Sequence, residues 1–536
     1  MNKGKTCLFS LFILFSSSLF GQVLQPGTLD FEYHRLLLLK NDFDKEAIGT
    51  FPSIITDFAP DSSLSWNPWN NYLVPSTSSD KFSVVDPTFG TLYNSTAPRS
   101  YNDGAVWNGK GLNSWFTTGV MGKLPTGENG YFSYTLSPIV HYSQNAAIDI
   151  PQPIYNKSQY SYPFYERLDQ VERYGDESLF KIDPGQSEVK YVYRGIAAGF
   201  TTQNEVWGPA TFNPILMSQQ AAGIPRFNLG FNRPIDTKIG RLEGKAFWGM
   251  LKESDYYDSN PNNNHRYITG FTGGYAPSFV KGLNLGLHRV MYRLWERSSM
   301  GAKDVFAAFA HTSRQYDTPL NGIITNDEYD QMASATIRWN RPELGLEIYT
   351  EYARNDFPGN FKEFGRNPDR SSAFVLGITE AFELSNGNTV KLHYENTKLS
   401  ANQLQIVSIF SSPTYYVHYS IAHGYTQNGQ IIGAGIGPGS NTNVLQAQYF
   451  TPKSMFGLTA QAIRFNDDYI LREYAGALKY PSEFEFAYSA KYYRLFDQFT
   501  VEAQLQYAKH YHRYFVDGIS DRNFQALLNL GYRINN

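Results

Sequence analysis

Apolar and polar side chains alternate along many short segments of the chain. Between residues 483 and 492, apolar and aromatic side chains occupy one parity, and most charged side chains occupy the other. Side chains of a β-strand point alternately to its two faces, so this segment predicts a strand with one apolar and one polar face. The same alternation recurs at 241–248, 283–288, 334–339, 346–352, 390–395, 445–449 and 501–507.

The predicted strands run roughly 9–13 residues, about the length that a tilted strand needs to cross a bilayer. Turn-forming stretches such as 340–342 and 385–388 separate them, and longer polar stretches such as 255–266 and 355–370 are expected to form loops. Nearly every polar face carries Glu, Gln, Arg, His or Lys, which suits a polar lumen. The pattern therefore predicts an all-β fold, a transmembrane antiparallel β-barrel of about 18 strands with an apolar exterior.

The N-terminus has the pattern of a secretory signal peptide. Lys3 and Lys5 precede an almost wholly apolar run at 7–15, and cleavage is plausible at Gly21-Gln22. We therefore predict a signal peptide at residues 1–21. The only cysteine, Cys7, lies within it, so the mature chain is expected to lack disulfides and thiolate metal sites.

Residues 22–110 alternate poorly. The spacing of apolar residues at about 30–45 predicts a short amphipathic helix, and a stretch rich in Pro, Ser, Asn and Trp follows it. We expect 22–110 to form a helical or irregular cap or plug on the periplasmic side, and 111–536 to form the barrel. Within a long loop, residues 164–174 are compatible with another short helix.

Composition narrows the classes of protein that fit. Aromatic residues make up 16% of the chain, with 39 Tyr and 38 Phe, which suits the interfacial girdles of an outer-membrane barrel. The net charge is -3 without a basic tract, which argues against a nucleic-acid partner. Beyond the signal no apolar run approaches 18 residues, so no transmembrane helix is predicted. We expect the outer membrane of a diderm bacterium; a secreted carbohydrate-binding β-sandwich is the alternative.

Signs of catalysis are weak. Glu347 and Glu351 lie four residues apart on a predicted strand, about 13 Å, which exceeds the spacing of glycosidase carboxylates. His510 and His512 share a face, but no third metal ligand is evident. No Gly-x-Ser-x-Gly nucleophile motif is present. We therefore predict a protein that is not an enzyme and has no cofactor and no metal site.

Three segments, in order, resemble the Wzi-type capsule-assembly outer-membrane proteins. Glu205-Val206-Trp207-Gly208-Pro209-Ala210, followed by Leu216-Met217-Ser218 and Ile224-Pro225, is similar to that family's Trp-Gly-Pro-Gly element, with Ala210 in place of the second glycine. Residues 346–351 resemble its Leu-Tyr-Gly-Glu strand, with Thr350 in place of the glycine. Residues 419–439 resemble its Gly-Tyr segment with the later Gly-x-x-Ile-Gly.

This resemblance implies an 18-stranded barrel with a helical periplasmic part. It also implies a lectin that attaches capsular or exopolysaccharide at the cell surface, without enzymatic activity. The partners would be surface polysaccharide, outer-membrane lipid and, during biogenesis, the barrel-assembly machinery; we expect a monomer. The alternatives are a porin or transport channel for a small solute or oligosaccharide, and a soluble secreted carbohydrate enzyme.

Sugars are bound by aromatic rings and by carboxylates or amides, and acidic polymers also need Arg or Lys. On this basis and on the resemblance, the candidates for polysaccharide binding are Glu205, Trp207, Arg241, Lys245, Arg338, Tyr349, Glu351, His423 and Tyr425. Each also has a structural interpretation. Glu205 and Trp207 fit a turn that holds a loop inside the barrel, and the inner stripe around Tyr349 fits a network of lumen salt bridges.

Overall fold

The computed structural model describes residues 81–150, 160, 167–258, 260–295, 301–309, 329–355, 365–366, 368–401, 414–418, 420–473, 481–496 and 498–534, and near the N-terminus 22–23, 32, 35–36, 39, 50–52 and 54–55. The signal peptide predicted at 1–21 lies outside the described residues. So does the Trp-rich stretch of the predicted cap.

A closed antiparallel sheet forms the wall of the molecule. Among the described residues, 21 strand segments make up the sheet, and three wall positions hold two segments each, which leaves 18 strands. They are β1 (Ser83–Asn94), β2 (Gly111–Pro125), β3 (Gly130–Leu136 and Ile139–Ser143), β4 (Leu179–Asp183 and Glu188–Tyr193), β5 (Ile196–Thr201), β6 (Arg226–Phe231 and Ile235–Thr237), β7 (Gly240–Lys252), β8 (His265–Pro277), β9 (Leu283–Leu294), β10 (Asp330–Arg341), β11 (Leu346–Asn355), β12 (Ser372–Glu383), β13 (Thr389–Lys398), β14 (Asn441–Phe450), β15 (Ser454–Phe465), β16 (Glu483–Leu495), β17 (Phe499–Tyr511) and β18 (Ser520–Tyr532). The predicted all-β barrel of about 18 strands is confirmed.

The barrel closes where the first strand pairs with the last. β1 runs antiparallel to β18, with Leu528 opposite Thr91. Residues 83–94 are therefore barrel wall, and the predicted boundary between a cap at 22–110 and a barrel at 111–536 is wrong at this strand. The alternation was hidden because the register shifts between Val85 and Thr88, around Asp86 and Pro87. Such a bulge puts one extra residue into the strand and breaks the period of two.

The two faces of the wall differ as the alternation predicts. In β16, Phe486 and Tyr488 are exposed on the outside, whereas Glu483 and Glu485 are buried inside. The outer face of the wall also exposes large apolar side chains such as Leu287, Leu458 and Leu505, at 55–65% of their surface. Apolar side chains on a wall of this kind suit contact with lipid hydrocarbon.

The two ends of the barrel differ in the length of their connections. At one end the turns are two to five residues long, as at 194–195 and 278–282. At the other end the connections are longer, and two of them, 202–225 and 399–440, contribute many buried residues. Outer-membrane barrels keep their short turns in the periplasm, so we call the long-loop end the outer end.

Helices are few in the part of the chain that the structure describes. They include Ala302–Val305 and Asp467–Glu473. No described helix has the length and apolar character that crossing a membrane requires. The described part of the predicted helix at 164–174 is not helical. There the backbone N–H of Asp169 bonds to His423 and that of Val171 to Gly429, so these groups are used outside a helix.

Part of the N-terminal region lies in the lumen. Glu32, Arg35, Leu36 and Leu39 are helical and buried. The Glu32 carboxylate lies 2.5 Å from Nζ of Lys391 on β13, which fixes this helical segment to the inner face of the wall. The remainder of the predicted helix at 30–45 lies outside the described residues.

Candidate functional site

The segment that contains the Trp-Gly-Pro element lies in the lumen and includes a short strand. Glu205–Trp207 pairs antiparallel with Thr50–Pro52 from the N-terminal region. Gly208 ends it with φ +84, and a Cβ there would lie 3.1 Å from a carboxylate oxygen of Glu351. Positive φ and this close approach both favour glycine, which explains the residue in structural terms.

Trp207 is fully buried, with 0% of its surface exposed. Its ring centroid lies 5.7 Å from that of Phe247 and 5.8 Å from that of His288, both on the wall. Its indole N–H donates to the Glu205 carboxylate at 3.2 Å. The side chain therefore packs the segment against strands β7 and β9.

Glu205 is held by two cations from the wall side of the lumen. Its carboxylate lies 2.6 Å from Nζ of Lys245 and 3.1 Å from the Arg226 guanidinium. Burial acts to raise the pKa of Glu205, but Lys245 and Arg226 outweigh it and lower that pKa to about 2. This carboxylate is ionised at neutral pH and acts as an electrostatic anchor.

A second carboxylate, that of Glu395 on β13, binds the backbone of the next part of the same segment. It accepts backbone N–H bonds from Thr211 at 2.6 Å, Phe212 at 3.1 Å and Asn213 at 2.9 Å. It also accepts the Tyr349 hydroxyl at 2.6 Å. Glu395 was not among the predicted site residues. Its place in the alternating pattern predicts that it faces the lumen, but does not predict which groups it contacts.

The inward-facing residues predicted on β10 and β11 also contact the N-terminal region and the inward segment. Arg35 donates to Glu347 at 3.2 Å, and Arg338 lies 3.9 Å from the same carboxylate. The Glu351 carboxylate accepts the backbone N–H of Ile215 at 3.4 Å. The salt-bridge interpretation made from the sequence fits these contacts.

The second inward segment, at 414–440, packs on the first. Tyr425 is buried and donates its hydroxyl to the Leu216 carbonyl at 2.8 Å. Its ring stacks on Tyr416, with centroids 5.9 Å apart, and Tyr416 donates to the Ile215 carbonyl at 2.7 Å. Arg266 on β8 donates to the Gly424 carbonyl at 2.8 Å. The two segments therefore form one body attached to the wall.

The nine predicted residues fall into three groups and one separate residue. Glu205, Trp207 and Lys245 form the first group; Arg338, Tyr349 and Glu351 the second; His423 and Tyr425 the third; Arg241 is half-buried near the start of β7. All but Arg241 and Lys245 are buried, and Lys245 bonds to Glu205. Binding of polysaccharide by these residues stays a prediction, and for the buried ones it requires the inward segments to move.

An aromatic cluster at the outer end was missed from the sequence. We call it the outer aromatic patch: Trp107, Tyr160, Tyr174 and Tyr256, which come from three different long connections. Ring centroids lie 5.0 Å apart for Trp107 and Tyr174, 5.8 Å for Tyr174 and Tyr256, and 5.3 Å for Tyr160 and Tyr256. Trp107 and Tyr174 are buried, whereas Tyr160 and Tyr256 are partly exposed. Residues this far apart in sequence give no local signal of their meeting.

Charged groups border the outer aromatic patch. Asp176 accepts the Tyr160 hydroxyl at 2.8 Å and pairs with Arg173 at 2.7 Å, and its side chain is 64% exposed. Gly175, with φ +72, lets Tyr256 lie against the backbone, because a Cβ there would be 2.8 Å from the ring. Exposed rings beside a carboxylate are a combination that binds sugars.

One group of described residues has metal-ligand chemistry, although none was predicted. Glu253, Asp258 and His423 each place one ligand atom within 4.8 Å of the others. A histidine with two carboxylates matches the ligands of Zn²⁺. In the structure, His423 and Glu253 are hydrogen-bonded to each other. This pair explains the same geometry without an ion.

The family model of the capsule assembly protein Wzi matches residues 95–521. The chain belongs to the Wzi capsule assembly family. The match includes both inward segments and the lumen carboxylates, and it confirms the predicted family and the outer-membrane location. No curated protein matches the chain significantly.

The fold is similar to that of a solved Wzi structure. The structure of Wzi, an outer membrane protein involved in group 1 capsule assembly in Escherichia coli and described as a carbohydrate-binding β-barrel, aligns with a TM-score of 0.56. Identity is 12%, and the alignment covers 84% of this chain and 85% of that one. Acinetobacter baumannii OccAB3 aligns at a TM-score of 0.41 with 10% identity, covering 84% and 98% of the two chains.

Proposed function

We propose that this Wzi-family barrel binds capsular or exopolysaccharide with its outer end and keeps the polymer attached to the cell surface as a lectin, without catalysing a reaction on it. The observation that carries the proposal is the filling of the lumen by the inward segments 202–225 and 414–440. A barrel filled in this way suits a binding surface better than a conduit for solute.

The filling is anchored by groups that are costly to separate. Glu205 and Glu395 hold the first segment by charge-assisted bonds, and Arg266 holds the second. A buried apolar cluster joins both segments to the wall, with Trp207, Leu216, Tyr416 and Tyr425 among its members. Opening a channel would expose this cluster and leave buried charges without partners.

The outer aromatic patch is the surface that we propose for the polymer. Tyr160 and Tyr256 offer partly exposed ring faces to the C–H faces of sugar rings. Asp176 and Arg173 offer an acceptor and donors for hydroxyl or carboxylate groups. The patch lies in the loops of the outer end, where a surface polymer has access.

The test is the double variant Y160A/Y256A in the producing cell, with staining of cell-attached and shed polymer. We expect the attached fraction to fall severalfold while total polymer stays the same, because the stacking faces are lost and synthesis is not affected. Wild type and variant must be present in the outer membrane at equal levels.

The matched control is Y160F/Y256F, which keeps both rings and is expected to retain most attachment. Folding of each variant is checked by the shift of the folded band on heating in gel electrophoresis. Unchanged attachment in Y160A/Y256A at equal surface level would contradict the outer aromatic patch as the binding surface.

A further inference from the structure

A cavity that is separate from the outer aromatic patch lies inside the barrel. It has a volume of about 460 Å³ and is bounded by the wall from β14 through β18 to β1 and β2. Loop residues Tyr101, Phe212 and Ile436 bound it toward the outer end. Its size falls within the range of small-molecule binding sites.

Amide side chains dominate the polar wall of this cavity, which we therefore call the amide chamber. Those that carry the argument are Gln446, Gln448, Gln504, Gln506, Gln525 and Asn529. An amide offers both a donor and an acceptor without net charge, which matches the hydroxyl groups of a neutral sugar.

Several of these amides are only partly satisfied by the protein. Oε1 of Gln446, Oε1 of Gln448, Nε2 of Gln506 and Oδ1 of Asn529 have no hydrogen-bond partner within the described part of the chain. Gln448 and Gln506 are 3% and 7% exposed, so bulk water does not reach them freely. A buried amide atom without a partner is destabilising, and a ligand in the chamber would supply the missing partner.

Two of the cations that line the chamber, Lys491 and Arg99, are in ion pairs. Lys491 lies 2.7 Å from Glu502, and Asn529 donates to the same carboxylate at 3.2 Å. At the outer side, Arg99 lies 3.0 Å from Glu485 and donates to Gln461 at 2.6 Å. Paired charges favour a neutral ligand over an ionic one, because an ion would have to displace an existing partner.

An aromatic ring completes the set of groups. Trp115 on β2 faces the chamber and is partly exposed. It lies over Gly90 of β1, where a Cβ would come within 2.1 Å of the indole ring. The glycine therefore leaves space for a flat aromatic surface on the wall, on which a sugar ring can stack.

We propose that the amide chamber binds a short neutral oligosaccharide, with Trp115 as the stacking surface and Gln448 and Gln506 as hydrogen-bonding groups. The lining reaches the short-turn end at Thr88, Thr500 and Arg533, so the ligand enters from the periplasmic side. The inference goes beyond the proposed surface lectin and does not depend on it, since the chamber and the outer aromatic patch share no residue.

The test uses the purified full-length barrel in detergent and a panel of neutral trisaccharides of glucose, galactose and mannose. We expect at least one to bind in titration calorimetry and to change tryptophan fluorescence. In Q448M/Q506M, which keeps side-chain volume and removes both amides, we expect affinity to fall at least tenfold. In W115F, which keeps a ring, binding should persist while the fluorescence change is lost.

Y160A/Y256A is the control and should bind the same trisaccharide as wild type. Conversely, Q448M/Q506M should keep polymer attached to cells, which separates failure of the chamber from failure of the outer aromatic patch. Absence of binding across the panel, or equal affinity in a folded Q448M/Q506M, would overturn the proposal.

Discussion

Individual carboxylates in the lumen have two roles. They make the inner face of the wall polar, and they also accept hydrogen bonds from the backbone N–H groups of a loop. Glu395 accepts three successive N–H groups, from Thr211, Phe212 and Asn213. Bonds to an ionised acceptor are about twice as strong as neutral ones, so one residue can fix the path of the segment.

Replacing Glu395 with glutamine keeps its shape and removes its charge. We expect E395Q to lower the free energy of unfolding by about 1–3 kcal/mol, because the three N–H bonds lose their ionised acceptor. Urea unfolding of vesicle-inserted barrel, followed by tryptophan fluorescence, measures this. The control E380Q changes an exposed residue on β12 and should have little effect; equal values for the two variants would contradict the anchoring role.

At the scale of elements, the short strand Glu205–Trp207 depends on charge and therefore on pH. The pKa of Glu205 is lowered from 4.5 to about 2 in the folded protein. A depressed pKa stabilises the fold above the unfolded-state value, and the contribution is lost as pH falls through the folded value. The relevant window therefore lies between about pH 4.5 and 2.

We expect the unfolding midpoint of wild type to fall across that window more steeply than that of E205Q. At pH 7, E205Q should be less stable by about 3 kcal/mol, since it leaves Lys245 and Arg226 without their anion. Both effects are measured by heating each protein at a series of pH values and following the loss of the folded band in gel electrophoresis. Parallel pH profiles for the two proteins would show that Glu205 does not anchor the segment.

The elements show where reading the sequence succeeds. Strands such as β16 were predictable because their faces meet environments of opposite polarity, and the alternation records that directly. β1 was missed because Asp86 and Pro87 interrupt its period. An inward loop was one interpretation of Glu205 and Trp207, but its partners could not be predicted, because they lie more than a hundred residues away, as Glu395 does from Thr211.

For the molecule as a whole, the filled lumen is the feature that favours a binding protein over a channel. We expect the wild-type barrel to show no stable open level in planar bilayers, because both inward segments occupy the lumen. The variant E351Q/E395Q should raise the frequency of brief current steps, since it loosens the first segment. A large and stable open-channel conductance in the wild-type protein would favour a porin instead.

Family and fold were within reach of the sequence, whereas the two proposed ligand sites were not. The Trp-Gly-Pro element identified the family, yet its residues are buried in the interior. Tyr160 and Tyr256 of the outer aromatic patch, and Trp115 with Gln506 of the amide chamber, meet only through folding. Surfaces assembled from distant loops and neighbouring strands have no signature along the chain.

The pairing of β1 with β18 also sets an order of events during biogenesis. This seam joins the first wall strand to the last, so the cylinder can seal only after its final strand has been made. Arg35 precedes β1 and ends up enclosed beside Glu347. Assembly of the protein therefore includes placing the segment ahead of β1 within the closed wall.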